Sequence, residues 1–232
     1  MMSYVSVDHK LCFIHVPKAA GTSISESLVS SHPHLPLAPL KAWPGPPPER
    51  WNGTGHFTIN DYCSEFGRFP GWSFAMIRNP YERCASAFMV HPDYGKKYHS
   101  QDADNKRLYH EWEKYLIFCE NYINELPQFF RPNSVRGIGA DRLFQGPAIH
   151  ALPSHYMISI DNQVVVDKLI SIENLEKIPS IIEKNTGIRI DKIDHKNRSD
   201  SNKYWDLLLT NKSKKIIERL YAKDFELYEG AE

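Results

Sequence analysis

The sequence has little cysteine and no excess of charge of either sign. Its 232 residues include four cysteines, and 28 Lys and Arg balance 28 Asp and Glu. Non-specific binding to nucleic acid or to an anionic membrane is therefore not expected, because that affinity comes from neutralising phosphates with surplus positive charge. A disulfide framework is not expected either, because the cysteines are widely spaced and form no CxxC pair. We expect reduced thiols in the core at Cys12, Cys63, Cys84 and Cys119.

Long hydrophobic runs are also missing near the N-terminus. The first apolar stretch, residues 11–16, is six residues long and is followed by Pro17. A secretory signal needs a longer run, and a membrane-spanning helix needs about 20 apolar residues. We therefore expect no leader, no integral membrane segment and a protein that works in the cytoplasm.

What the chain does have is a regular alternation of strand and helix patterns. Short apolar and β-branched runs predict strands at 11–16, 72–77 and 164–172. Apolar residues at spacings of three and four predict helices from residue 23, over 80–90, 105–126 and 178–186, and in one or two segments of 204–228. This alternation predicts an α/β fold with a mainly parallel central sheet flanked by helices.

The predicted helix limits rest on capping and breaking residues. Ser23 followed by Glu26 has the spacing of a capping box, which places the first helix start near Ser23. Asn79 before Pro80 marks the start of the second helix, since proline is favoured at the first helical position. We expect Pro127 to end the long third helix.

Proline is concentrated in one segment, residues 33–50. Seven of the chain's 16 prolines lie between positions 33 and 48, and a proline-dense run lacks the donors needed for helix or sheet. The segment is either a surface excursion or a linker between domains. Because only about 30 residues precede it, too few for a domain of ordinary size, we predict a single domain over 1–232.

The loop after the first predicted strand, HVPKAAGTS, has the parts of a phosphate cradle. Backbone N–H groups at a helix N-terminus lack internal partners and favour an anion. Small side chains let that anion approach the backbone, and a lysine adds a full positive charge. The candidate contacts are Lys18, Ala19, Ala20, Gly21, Thr22 and Ser23.

This loop differs from the Walker A pattern, in which lysine follows the second of two glycines. Here Lys18 precedes the only glycine of the loop, and no acidic partner for magnesium is evident, so no metal is expected. The alternative interpretation is a tight turn capped by Ser23, with a solvated lysine.

A second strand-to-helix turn carries another anion-binding pair. Arg78 follows the strand at 72–77, and Ser86 lies eight residues later, about two turns into the helix. An arginine and a hydroxyl can hold a second phosphate from two directions. Two such turns in neighbouring units predict a ligand with two separated phosphate-like groups.

These motifs resemble those of a known family. FIHVPKAAGTS resembles the 5′-phosphosulfate loop, and IRNPYERCASAF the 3′-phosphate motif, of sulfotransferases that use 3′-phosphoadenosine 5′-phosphosulfate (PAPS). Residues 155–178 and 195–228 resemble the later segments of that family. The nearest branch is the Golgi carbohydrate sulfotransferases and their bacterial relatives. The resemblance implies a P-loop-like sulfotransferase fold, a bacterial enzyme and transfer of a sulfuryl group from PAPS, leaving 3′,5′-ADP.

His56 is our candidate for the base that accepts the acceptor's proton. A neutral imidazole suits proton abstraction at neutral pH, and carbohydrate members of the resembled family carry a histidine in this interval. Among the other ten histidines, His155 and His195 are candidate substrate contacts. Strand alternation points His15 into the sheet rather than toward a ligand.

Several questions stay open at this level. The acceptor carries a hydroxyl and is a glycan, a glycolipid or a small molecule, while the oligomeric state is not readable. The roles of His155, Glu173, Asn197 and Ser199 are unassigned, as is any contact of the proline-rich segment with substrate. A nucleotide-dependent kinase of P-loop ancestry and a non-catalytic nucleotide-binding protein are the alternative functions.

Overall fold

The computed structural model describes residues 3–32, 56–96, 104–129, 146–193 and 204–232. The strands are β1 (Tyr4–Val5), β2 (Leu11–Ile14), β3 (Trp72–Ile77), β4 (Ser159–Ile160), β5 (Gln163–Val164) and β6 (Lys168–Ser171). The helices are α1 (Gly21–Ser31), α2 (Ile59–Phe66), α3 (Pro80–Val90), α4 (Asn105–Phe129), α5 (Ser154–Ile158), α6 (Ile178–Thr186), α7 (Trp205–Leu208), α8 (Asn211–Leu220) and α9 (Ala222–Glu229).

The central sheet has the strand order β1-β2-β3-β6. β2, β3 and β6 run parallel, whereas β1 is antiparallel to β2. Every residue of β2 and β3 is buried, as expected for parallel strands that are covered on both faces. The prediction of an α/β fold with a mainly parallel sheet flanked by helices is confirmed.

The outer edge of β6 is covered by residues near position 232. The Ser171 N–H donates to the Glu232 carbonyl over 2.8 Å, and the Glu232 N–H donates to the Leu169 carbonyl over 3.3 Å. The Lys168 ammonium also pairs with the Glu232 carboxylate. Two backbone groups at the outer edge of this strand are therefore bonded.

Two predicted helix limits are wrong. α1 begins at Gly21 instead of Ser23, and no side chain caps it, because Ala20 takes a left-handed conformation that turns the chain directly into the helix. α4 continues through Pro127 to Phe129, since a proline close to a helix end removes only one backbone hydrogen bond. The predicted start of α3 at Asn79 and the predicted end of α6 at Gly187 are confirmed.

A buried ion pair links the α3 helix to the C-terminal helices. The Arg83 guanidinium donates to the Asp224 carboxylate over 3.3 Å, and both side chains are 1% exposed. Asp224 also accepts from the backbone N–H of Ser154 and of His155, so α3, α5 and α9 meet at one carboxylate. A pair so deeply buried is costly to break, because either partner alone would be an uncompensated charge.

All four cysteines are free thiols, and three of them are buried. Within the described residues, none of the helices combines the length and the apolar character needed to cross a membrane.

Candidate functional site

The loop between β2 and α1 has a strained backbone. Lys18 and Ala20 have φ angles of 66° and 57°, in the left-handed region that residues with a Cβ rarely occupy. Such a conformation costs about 1–3 kcal/mol per residue and is concentrated at functional sites. The strain orients the backbone of the loop at the carboxyl end of β2, where parallel sheets bind ligands.

The N-terminus of α1 keeps its backbone donors free. In the part of the chain that the structure describes, no acceptor is bonded to the N–H groups of Ala20, Gly21 and Thr22. The Ala19 N–H donates to the Val16 carbonyl over 3.4 Å, so Ala19 shapes the loop instead of offering a donor. Ser23 lies in the first helical turn and is buried. The exposed positive end of the helix dipole is therefore available to an anion.

Gly21 is required by the packing of this turn. A Cβ at position 21 would overlap the imidazole ring of His15. The strand ends at Ile14, and His15, which is 6% exposed, folds across the start of α1. The inward direction expected for His15 agrees with its low exposure and with its ring, which stacks on that of Phe13, two residues earlier, at 6.0 Å.

Lys18 is a partly buried cation with a cationic neighbour. Burial and the nearby charge of Arg78 lower the pKa of Lys18 to about 8. Its ammonium makes no ion pair or hydrogen bond with the described residues. Two positive charges from adjacent βα turns therefore act on each other, an arrangement that an anion bound between them would stabilise.

The turn between β3 and α3 is built differently. Asn79 caps α3 by accepting from the Tyr81 N–H over 3.0 Å. The Arg78 Nε donates to Glu82 over 3.1 Å, and its guanidinium lies 5.9 Å from the centre of the Trp205 ring. Ser86 is buried one helical turn beyond Glu82, on the same side of α3. In the β3–α3 turn, the hydrogen-bond donors that an anion could meet are therefore side chains and not backbone groups.

His56 lies directly before α2, which is anchored by a capping box. Thr58 and Asp61 bond each other reciprocally, fixing the start of this helix. The His56 Nδ1 is 2.8 Å from the His15 carbonyl, so Nδ1 carries the proton and Nε2 has the free lone pair. Burial lowers the pKa of His56 to about 4, and the charge of Lys18 contributes. The imidazole is therefore neutral at pH 7.

Two other candidates have structural partners. The His155 Nδ1 lies 3.2 Å from Asp224, and Glu173 accepts from the Tyr228 hydroxyl over 3.1 Å. The candidates His195, Asn197 and Ser199 and the proline-rich segment 33–50 lie outside the described residues.

A residue that the sequence did not single out joins this site. The His150 ring lies 6.1 Å from that of His56, edge to face, and the His15 and His56 rings are 4.3 Å apart. No spacing or motif in the sequence relates position 150 to position 56, because the contact is created only by the tertiary fold.

The residues present fit an anion with two charged ends. One end would meet the free N–H groups of α1 and Lys18, and the other would meet Arg78 and Ser86. The register of β2 and β3, with Ile14 opposite Ala75, brings both turns to the same edge of the sheet.

Comparison with known proteins agrees with this architecture. The family model described as the sulfotransferase family matches residues 2–134, more than half of the chain, including both βα turns and His56. Searches of curated proteins and of solved structures gave no match. The chain belongs to the sulfotransferase family.

Proposed function

We propose that this protein transfers a sulfuryl group from PAPS to a hydroxyl group, within a single P-loop-like domain over 1–232. The observation that carries the proposal is the meeting of two cationic turns at one edge of the sheet, where the charge of Arg78 acts on Lys18. Membership of the sulfotransferase family supports the same reaction.

PAPS would be held at its two charged ends. The free N–H groups of Ala20, Gly21 and Thr22, with Lys18, would bind the 5′-phosphosulfate. The Arg78 guanidinium and the Ser86 hydroxyl would bind the 3′-phosphate. Arg78 would then exchange part of its pairing with Glu82 for the phosphate, since the two anions compete for one guanidinium.

When bound, PAPS supplies a sulfuryl group activated for in-line displacement. Lys18 and the α1 donors stabilise the negative charge that grows on the bridging and sulfuryl oxygens. His56 accepts the proton of the acceptor hydroxyl at Nε2, because its Nδ1 is held by the His15 carbonyl. The same hydrogen bond fixes both the tautomer and the orientation of the imidazole.

The acceptor is a glycan, a glycolipid or a small molecule that carries a hydroxyl group. The resemblance to carbohydrate sulfotransferases favours a sugar. The cytoplasmic location and the bacterial origin stay predictions.

Replacing His56 tests the chemical step. We expect His56→Ala to lower turnover about 100-fold or more, because general bases contribute about 10²–10⁴. Affinity for 3′,5′-ADP, measured by calorimetry, should change less than about threefold, since the proposal assigns the imidazole to the acceptor hydroxyl and not to the phosphate groups. The matched control is His110→Ala, at an exposed histidine on α4. Unchanged turnover in the His56 variant would remove it from the mechanism.

Ligand selectivity tests the function itself. Wild-type protein should be stabilised against heat by 3′,5′-ADP and not by ATP with magnesium, because Lys18 and Arg78 match phosphates at both ends of the nucleoside. Selective stabilisation by ATP with magnesium would favour a kinase and overturn the sulfotransferase proposal.

A further inference from the structure

His150 lies beside the two groups that the proposed mechanism uses. Its ring meets that of His56 edge to face at 6.1 Å. The positive charge of Lys18 acts on it as well, and burial is the main reason that the pKa of His150 is lowered to about 3. The imidazole is therefore neutral throughout the physiological range and can act only as a hydrogen-bonding group.

The two nitrogens of His150 differ in their surroundings. Nδ1 is buried and has no hydrogen-bond partner among the described residues. The ring as a whole is only partly buried, and Nε2 is not among the buried unpartnered atoms, so Nε2 lies on the accessible edge. A buried N–H without an acceptor is rarer and costlier than a buried acceptor without a donor. The favoured tautomer therefore has its proton on Nε2, where it can be donated to a ligand.

The buried ion pair of Arg83 and Asp224 anchors the backbone at His150. The Arg83 Nη1 donates to the His150 carbonyl over 3.4 Å, and Arg83 is held by Asp224. The same carboxylate binds the Ser154 N–H over 2.6 Å, which anchors the chain just after His150. These contacts anchor the backbone at residues 150 and 154, and a ring carried by an anchored backbone can hold a hydrogen bond in a defined direction.

We propose that His150 is a further catalytic residue, which donates a hydrogen bond from Nε2 to an oxygen of the sulfuryl group. This inference rests on the proposed function. The His150 ring contacts that of His56 and also feels the charge of Lys18, which points to the sulfuryl group, because the proposed mechanism places Lys18 on the leaving side of the transfer and His56 on the acceptor side. A neutral donor stabilises an oxygen that gains negative charge without itself losing a proton.

Three variants separate this role from a structural one. His150→Phe keeps a ring against His56 but removes both nitrogens. His150→Gln restores an amide N–H near the position of Nε2, and His150→Asn, the matched control, places one near Nδ1 instead. Calorimetry with PAPS and with 3′,5′-ADP, which lacks the sulfuryl group, then measures the contact without turnover.

We expect His150→Phe and His150→Asn to weaken PAPS binding about tenfold, the usual effect of losing a hydrogen bond to a charged group. Binding of 3′,5′-ADP should stay within about twofold of wild type, and His150→Gln should recover most of the PAPS affinity. NMR of the unliganded protein should show the proton of the His150 ring on Nε2.

The results that would contradict the role of His150 differ from those that would contradict the proposed function. Equal weakening of both ligands, equal behaviour of the Gln and Asn variants, or a proton on Nδ1 would each overturn the role of His150 while leaving the sulfotransferase function intact. Wild-type protein that binds neither PAPS nor 3′,5′-ADP would overturn the proposed function, and this inference with it.

Discussion

The two βα turns at the edge of the sheet differ in how they are built and in how each would hold an anion. The β2–α1 turn has two left-handed residues, no side-chain cap and free backbone donors. The β3–α3 turn has a relaxed proline start, a capped helix and an arginine already paired with a carboxylate. In the proposed function, the first turn would bind the anion through its main chain and contains two left-handed residues, whereas the second would bind through side chains and contains none.

This difference predicts which substitutions each turn tolerates. Side-chain substitutions other than proline leave backbone donors in place, so the first turn is sensitive mainly to changes in shape, above all at Gly21. Side-chain donors can be replaced one at a time, so the second turn is sensitive to changes in charge at Arg78 and Glu82.

The largest expected effect is that of Lys18→Ala. Turnover should fall about 10²–10³-fold, the usual loss of a donor to developing charge, while 3′,5′-ADP binding weakens much less. Arg78→Ala should show the reverse, with weaker 3′,5′-ADP binding and a chemical step closer to wild type. Lys10→Ala, at an exposed lysine paired with Asp8, is the control for lost charge.

The pKa of Lys18 adds a pH test of the same contact. Because the pKa is lowered to about 8, the unliganded site loses this charge as the pH rises through that value. Wild-type affinity for 3′,5′-ADP should therefore fall between about pH 7.5 and 9, and Lys18→Ala should flatten that fall. If the affinity for 3′,5′-ADP fell equally with pH in wild type and in Lys18→Ala, Lys18 would not contact the bound anion.

An intermediate effect is expected for Gly21→Ala, which tests the shape of the first turn. The added Cβ would overlap the His15 ring, and overpacking of this kind costs about 1–3 kcal/mol of unfolding free energy. Gly230→Ala, where a Cβ would meet nothing closer than 3.5 Å, is the control. Urea denaturation of Gly21→Ala, His15→Ala and the double variant should reveal coupling, with the double variant less destabilised than the sum. Strict additivity would refute the contact.

The smallest expected effect belongs to Glu82→Gln, which tests the second turn. Removing the carboxylate frees the Arg78 guanidinium, whose side chain is 14% exposed, for the phosphate. Affinity for 3′,5′-ADP should rise about two- to fivefold at low salt, as expected for a partly exposed ion pair worth under about 1 kcal/mol. In an Arg78→Ala background the gain should vanish. Weaker binding in the single variant would mean that Glu82 holds Arg78 in place for the ligand.

The sequence was sufficient for one of these turns and not for the other. Asn79 and Pro80 are local signals with a local result, and the start of α3 was predicted correctly from them. The start of α1 was not, because the left-handed conformation of Ala20 has no signature in a residue that normally avoids it. The backbone conformation of Ala20 is determined by tertiary contacts and not by local preference.

The contacts among His15, His56 and His150 were likewise beyond what the sequence could predict. His56 could be proposed because its interval in the chain follows a family pattern. The hydrogen bond that fixes its tautomer comes from the His15 carbonyl, 41 positions away in the chain, and His150 arrives from a separate segment. Pairings over such distances are not encoded in periodicity or in capping residues.

The coverage of β6 by Glu232 has a consequence for self-association. Open strand edges invite the backbone of another molecule to add itself to a sheet, the first step of many β-mediated aggregates. Here one border of the sheet is occupied by the chain's own residues near 232, and the other ends in β1, only two residues long. Among the described residues, a neighbouring copy would therefore find one border of the central sheet partly occupied by Glu232 and the other only two residues long.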